Sequence, residues 1–128
     1  MTGARGESII RNGEIEYRVL LTNRALADAE IAIGKSTFVL ARGFISGATG
    51  IGDTAQLLAV GLEAARRDAK AGGRTHTLVD AYRIMDEVGF TTAARAVMEA
   101  VGAILKFSGD EDHGEDPKVT TESLPTSG

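Results

Sequence analysis

The chain of 128 residues has no cysteine and no tryptophan, and only two histidines and two prolines. Without cysteine there is neither a disulfide framework nor a thiolate metal site, so the fold rests on packing alone. Both prolines, Pro117 and Pro125, lie in the last 21 residues, so no helix in the rest of the chain is broken by proline. No apolar run approaches the ~18 residues of a membrane span. The opening MTGARGESII lacks the apolar stretch of roughly seven or more residues that marks a signal peptide, so a cytosolic protein is expected.

The charge is divided unevenly. The formal net charge is −4, yet residues 1–107 carry 13 basic and 12 acidic side chains and are close to neutral. Residues 108–128 carry six acidic side chains against one basic, Lys118. A neutral body lacks the broad basic surface that binding to a phosphate backbone requires, so nucleic acid is not the expected partner. The length matches one domain, by the usual prior of about 100–200 residues.

Hydropathy patterning predicts an α+β protein, an N-terminal β-hairpin packed on a bundle of four or five helices. The hairpin covers residues 7–21. Asn12-Gly13 is a strong signal for a type I′ turn, and Ile15, Tyr17 and Val19 alternate with Glu16 and Arg18. Helices are expected at about 23–33, 36–46, 53–71, 77–88 and 92–107, within one globular domain covering 1–107. Thr22 or Asn23 caps the first, with Leu26, Ala29 and Ile33 inward and Gly34 as its stop. Ser36 caps the second, with Phe38, Ala41 and Ile45 along one side. Residues 46–52 read as a glycine-rich loop. Asp53 caps the third, where Leu57, Leu58, Gly61, Leu62 and Ala65 form a stripe. Thr77-Leu78-Val79-Asp80 reads as a capping box, and the fourth helix carries Leu78, Tyr82 and Met85. In the fifth, Ala94, Val97, Met98, Val101, Ile104 and Leu105 fall on one face. From Ser108 onward the apolar pattern ends, and residues 108–128 are expected to be a disordered acidic tail.

Four segments invite a chemical reading. Gly34-Lys35-Ser36 matches the end of a phosphate-binding loop, but position 29 is alanine where the first glycine belongs, and the preceding residues suit a helix. Gly47-Ala48-Thr49-Gly50-Ile51-Gly52 has the spacing GxxGxG, not that of a dinucleotide fingerprint, and no acidic strand end follows it. A helix–helix loop is the simpler reading. His76 and His113 have no ligand spacing, and the run 110–116 lacks the order of a calcium loop. No catalytic, cofactor-binding or metal-binding residue stands out. The helix–Val88-Gly89-Phe90–helix segment over 81–97 has the outline of a helix-turn-helix, yet its second helix offers one base-reading side chain, Arg95, beside Glu99.

The ordered pattern as a whole is similar to a known family. Arg5-Gly6-Glu7, the hairpin around Asn12-Gly13 and Leu20-Leu21-Thr22 come first. Then follow Ala25-Leu26-Ala27-Asp28-Ala29-Glu30, Gly34-Lys35-Ser36, Asp53, Leu57-Leu58 and Gly61-Leu62. Over about residues 5–107 this resembles the tail assembly chaperones of long-tailed phages, in the form found in gene transfer agents and prophages. The resemblance implies a non-catalytic protein without cofactor. Its partners would be the tape measure protein, which it coats, and the tail tube subunits, which it helps to recruit. It would act in the host cytoplasm, touch no membrane and be absent from the finished virion. Nothing in the pattern fixes an oligomeric state. For partner contact the sequence offers only the acidic residues Asp110, Glu111, Asp112, Glu115 and Asp116. The alternative is a small prophage DNA-binding regulator using the segment around Gly89.

Overall fold

A computed structural model describes residues 6–112, with side chains through Leu105. An antiparallel hairpin, β1 (Gly6–Asn12) and β2 (Ile15–Leu21), is followed by α1 (Asn23–Ile33), α2 (Thr37–Ser46), α3 (Ile51–Asp68), α4 (Leu78–Val88) and α5 (Phe90–Asp112). The α+β architecture of a hairpin on five helices is the one the sequence predicts.

The hairpin register pairs Asn12 with Ile15, so the two-residue turn is Gly13-Glu14, one position later than expected. Only Gly13 has positive φ there, at 64°, which fits a type II′ turn and not type I′. In β1 the alternation is strict, with Gly6, Ser8 and Ile10 buried and Ile9 exposed. In β2 it holds only at first: Val19, Leu20 and Leu21 are all buried, because helices close over both faces of its end.

Two close approaches fix the hairpin on the helices. A Cβ on Gly6 would collide with the Ala100 carbonyl of α5. A Cβ on Gly61 of α3 would lie 2.6 Å from Val19 Cγ1. The Ser8 hydroxyl, buried beside Gly6, donates to the Ala96 carbonyl at 2.7 Å. Helix α3 runs through the centre and packs on β2, α1, α4 and α5. Leu57, Leu58 and Leu62 join Val97, Val101 and Ile104 of α5 in one core.

Local chemistry sets most helix ends. Thr22 and Ser36 cap α1 and α2 by accepting the Ala25 and Val39 amides. Gly34 and Gly47, both left-handed, close them. Gly34-Lys35-Ser36 is thus a helix stop, a linker and a helix cap. Glu30 ties the two helices together, accepting both the Thr37 amide (2.6 Å) and its hydroxyl (2.8 Å), and these bonds lower its pKa. In α4 the capping box forms in both directions between Thr77 and Asp80.

Several expectations need correction. Helix α3 starts at Ile51 with Gly50 as its cap; Asp53 stands in the first turn, and the helix ends at Asp68, not 71. Helix α5 starts at Phe90, because Gly89 ends α4 at φ 92° and its carbonyl already accepts the Ala93 amide. It continues past 107 to Asp112, so residues 108–112, expected in the tail, are helical. Adding a residue to a formed helix gains one hydrogen bond per residue fixed, so a helix can outrun its apolar stripe. Residues 113–128 lie outside the described residues.

The inward faces of three helices also differ from the pattern. In α2 the buried side is Thr37, Leu40 and Gly43, whereas Phe38 and Ile45 are exposed. The reason is the return loop: the Thr49 hydroxyl donates to the Leu40 carbonyl, and its side chain sits against Gly43. In α4 Tyr82 is exposed and Ala81, Ile84 and Met85 are buried. In α5 the buried face is Ala93, Ala96, Val97, Ala100, Val101 and Ile104, with Met98 outside. Small residues face β1 because Gly6 and Ser8 come so close.

Candidate functional site

The outer face of α3 differs from that of an ordinary surface helix. A solvent-facing stripe is normally charged. Here the positions stepping by four, Gly52, Gln56, Val60 and Ala64, carry no charge. The only charged residues in 51–65 are Asp53 and Glu63, and both are engaged elsewhere. Asp53 receives Lys35 Nζ at 3.0 Å, and Glu63 is buried among donors. Gln56, Val60 and Ala64 therefore form the floor of an open groove of about 680 Å³. Ala25 and Asp28 of α1 flank it on one side and Leu78 of α4 on the other, with Leu20 at its base. The charges on its rim are paired: Arg24 with Asp28, Arg67 with Glu63, and Asp68 with Arg18.

One end of the groove is built by two carboxylates that hold the segment 69–77. Glu63, 7% exposed, accepts from Arg66 Nε and Nη2 (2.9 and 2.7 Å), Arg67 Nε (3.0 Å) and the His76 amide (2.8 Å). Asp80, 2% exposed, accepts from both Arg74 Nη atoms (3.0 and 2.7 Å) and the Thr77 amide (2.9 Å). The Arg66 hydrogen bond, with the His76 amide and Arg67 behind it, lowers the Glu63 pKa to about 2 against the opposing effect of burial. The Arg74 hydrogen bond and the Thr77 amide lower that of Asp80 to about 2. Both groups stay ionised at neutral pH with their acceptor sites occupied. They position a loop and have no proton to exchange in that range.

A second apolar surface lies on α2. Phe38 is 65% exposed, Val39 51% and Ile45 83%. Arg42 is the only charged residue of this helix and has no hydrogen bond or ion pair among the described residues.

The residues singled out in the sequence are scattered. Asp110, Glu111 and Asp112 belong to the last turn of α5, beyond the described side chains. Glu115, Asp116 and His113 lie outside the described residues, as does Arg5. His76 flanks the groove, its Nδ1 3.6 Å from Asp80. Among the described residues no group of three or more His, Asp or Glu is placed to hold a metal ion. The segment 47–52 follows a helix, not a strand, and spans a helix stop and a helix start. The chain turns through 120° between α4 and α5. Arg95 and Glu99 are both exposed on α5, with Asp86 and Glu87 exposed on α4. That outline resembles a helix-turn-helix, but its exposed carboxylates, Asp86, Glu87 and Glu99, outnumber its exposed cations, Arg83 and Arg95, the reverse of what a phosphate backbone needs.

Sequence reasoning missed the α3 groove. Its signal was a missing one, the lack of charge at 52, 56, 60 and 64. Among the described residues no single helix is long and apolar enough to cross a membrane. No family model, curated protein or solved structure matches the chain.

Proposed function

We propose that the protein is a non-catalytic tail assembly chaperone of the gene transfer agent and prophage type. In this reading it holds helical segments of the tape measure protein until tail tube subunits take over. The observation that carries it is the groove on α3, whose floor of Gln56, Val60 and Ala64 is uncharged. The floor from Gln56 to Ala64 is about 12 Å long at 1.5 Å per residue, room for roughly two turns of a partner helix. Its floor of Gln, Val and Ala is shallow and accepts an amphipathic helix without demanding particular side chains. Such a site suits many weak contacts along a long apolar partner. The paired rim charges add no strong preference for either sign.

Co-expression with the tape measure protein and pull-down of the tagged chain tests this. Capture of the long partner is expected, along with a gain in its solubility. Val60→Glu places a charge on the half-buried groove floor and should abolish capture, while Arg95→Glu on α5 should leave it intact. No capture by the unaltered, folded chain overturns the proposal. Equal capture by Val60→Glu moves the contact away from the groove.

A further inference from the structure

The geometry points to a second site, a cleft beside the segment 69–77 that binds a phosphoryl group. The cleft encloses about 470 Å³ between β2, the end of α3, that segment and the start of α4. It shares His76 with the α3 groove and otherwise has its own walls, so its test is independent of the chaperone reading. Four arginines from four parts of the chain converge on it: Arg18 of β2, Arg66 of α3, Arg74 of the segment and Arg83 of α4.

Two of these hold the fold together. Arg66 donates to Glu63 and to the Ala71 carbonyl, and Arg18 to Glu7 and Asp68. The other two have donors to give. Arg74 and Arg83 stand at the one carboxylate of Asp80, Arg74 through both Nη atoms at 3.0 and 2.7 Å. Arg83 Nη2 is 4.0 Å away, outside hydrogen-bond range. Its further contacts among the described residues are the Tyr17 side chain and, at 3.4 Å, Glu87. A guanidinium carries more N–H donors than these contacts use. One buried carboxylate thus faces two arginines, with His76 Nδ1 3.6 Å from it as well.

The backbone adds donors of its own. The amides of 69–71 donate to carbonyls of α3, and those of His76 and Thr77 to Glu63 and Asp80. Between them, the amides of Gly72, Gly73, Arg74 and Thr75 donate to no described residue. Gly72 and Gly73 line the cleft and have no side chain to hold a ligand away from the main chain. The carboxylates on the walls leave these donors unfilled, because Asp80 is 2% exposed behind Arg74 and Glu16 pairs with Arg11. A compact anion with several oxygens fills them. A phosphoryl group turns its oxygens in different directions, toward both guanidiniums and the loop amides, whereas a carboxylate has its oxygens in one plane. A cleft of this volume also has room for the organic part of a small phosphate ester.

The test titrates the isotope-labelled, full-length chain with inorganic phosphate, phenyl phosphate and acetate at constant ionic strength. Saturable shifts of amides 72–75 are expected with both phosphates and not with acetate. Arg83 is half exposed, so Arg83→Gln should keep its thermal midpoint and weaken phosphate binding by at least about tenfold, the scale of a lost charged hydrogen bond. Gly72→Asp, at a position with open space around it, sets a carboxylate among the donors and should abolish binding. Arg95→Gln on α5 should bind as the unaltered chain does. Tighter binding of phenyl phosphate than of inorganic phosphate assigns the site to an ester, and equal binding assigns it to the free ion. No saturable shift, an equal response to acetate, or binding retained in Arg83→Gln or Gly72→Asp overturns the proposal.

Discussion

At Gly6 the β1 backbone lies so close to the Ala100 carbonyl that a methyl group has nowhere to go, because both sides of the clash are main chain. Gly6→Ala should therefore destabilise the protein by at least the ~1–3 kcal/mol of an overpacked core, read from chemical denaturation. Gly102, exposed on the same α5 helix with open space around it, predicts the opposite sign. Gly102→Ala should stabilise by about 0.5–1 kcal/mol, since alanine favours the helix and narrows the unfolded ensemble. Glu63 and Asp80 make a prediction in pH. Both have pKa values of about 2 in the folded chain, below their ordinary 4.5 and 3.8. The unfolded chain thus takes up protons first, so their contribution is complete above those ordinary values and disappears as the pH falls toward about 2. The thermal midpoint should hold steady down to about pH 4.5 and then decline, with a shallower decline in Glu63→Gln.

The helices show which features a sequence reveals and which it conceals. Ser36 and Thr77 were legible as caps, and Thr22 as one of two candidates, because a cap is decided within four residues of chain. Thr77→Ala should accordingly lower stability by about 0.5–2 kcal/mol. The inward face of α2 was not legible. Apolar residues surround that helix, and the choice of Leu40 over Phe38 and Ile45 is made by Thr49, nine residues further on. Leu40→Ala should cost about 2–5 kcal/mol, whereas Ile45→Lys should change stability by no more than about 0.5 kcal/mol in the same denaturation assay. The stripe of α5 was read from its large side chains, Val97 and Met98, and so came out rotated. The β1 strand admits only the alanines at 93, 96 and 100, a demand set some ninety residues earlier by Gly6 and Ser8. The groove on α3 was hidden for a related reason. An uncharged stripe at 56, 60 and 64 looks like core until α1 and α4 are seen to leave it open.

Over the whole molecule, the hairpin is the piece that joins the two ends of the chain into one core. It covers α3 through β2 and α5 through β1, so its removal bares both helices at Gly61 and Ala100. A chain starting at Asn23 should lose cooperative unfolding and bind a hydrophobic dye, in the manner of a molten globule, while keeping helical circular dichroism. A native-like, dye-free fragment would show that the helices form a core without it. The Ser8–Ala96 hydrogen bond also has a consequence in time. Its donor and acceptor lie 88 positions apart. At about 5–20 residues per second a ribosome takes roughly 4 to 18 s to pass from one to the other. Throughout that interval β1 can pair with β2, but the α5 face that covers Gly6 and Ser8 does not yet exist. Completion of the core therefore waits for α5, and any pause in translating that helix lengthens the period in which the inner face of the hairpin is open to other nascent chains.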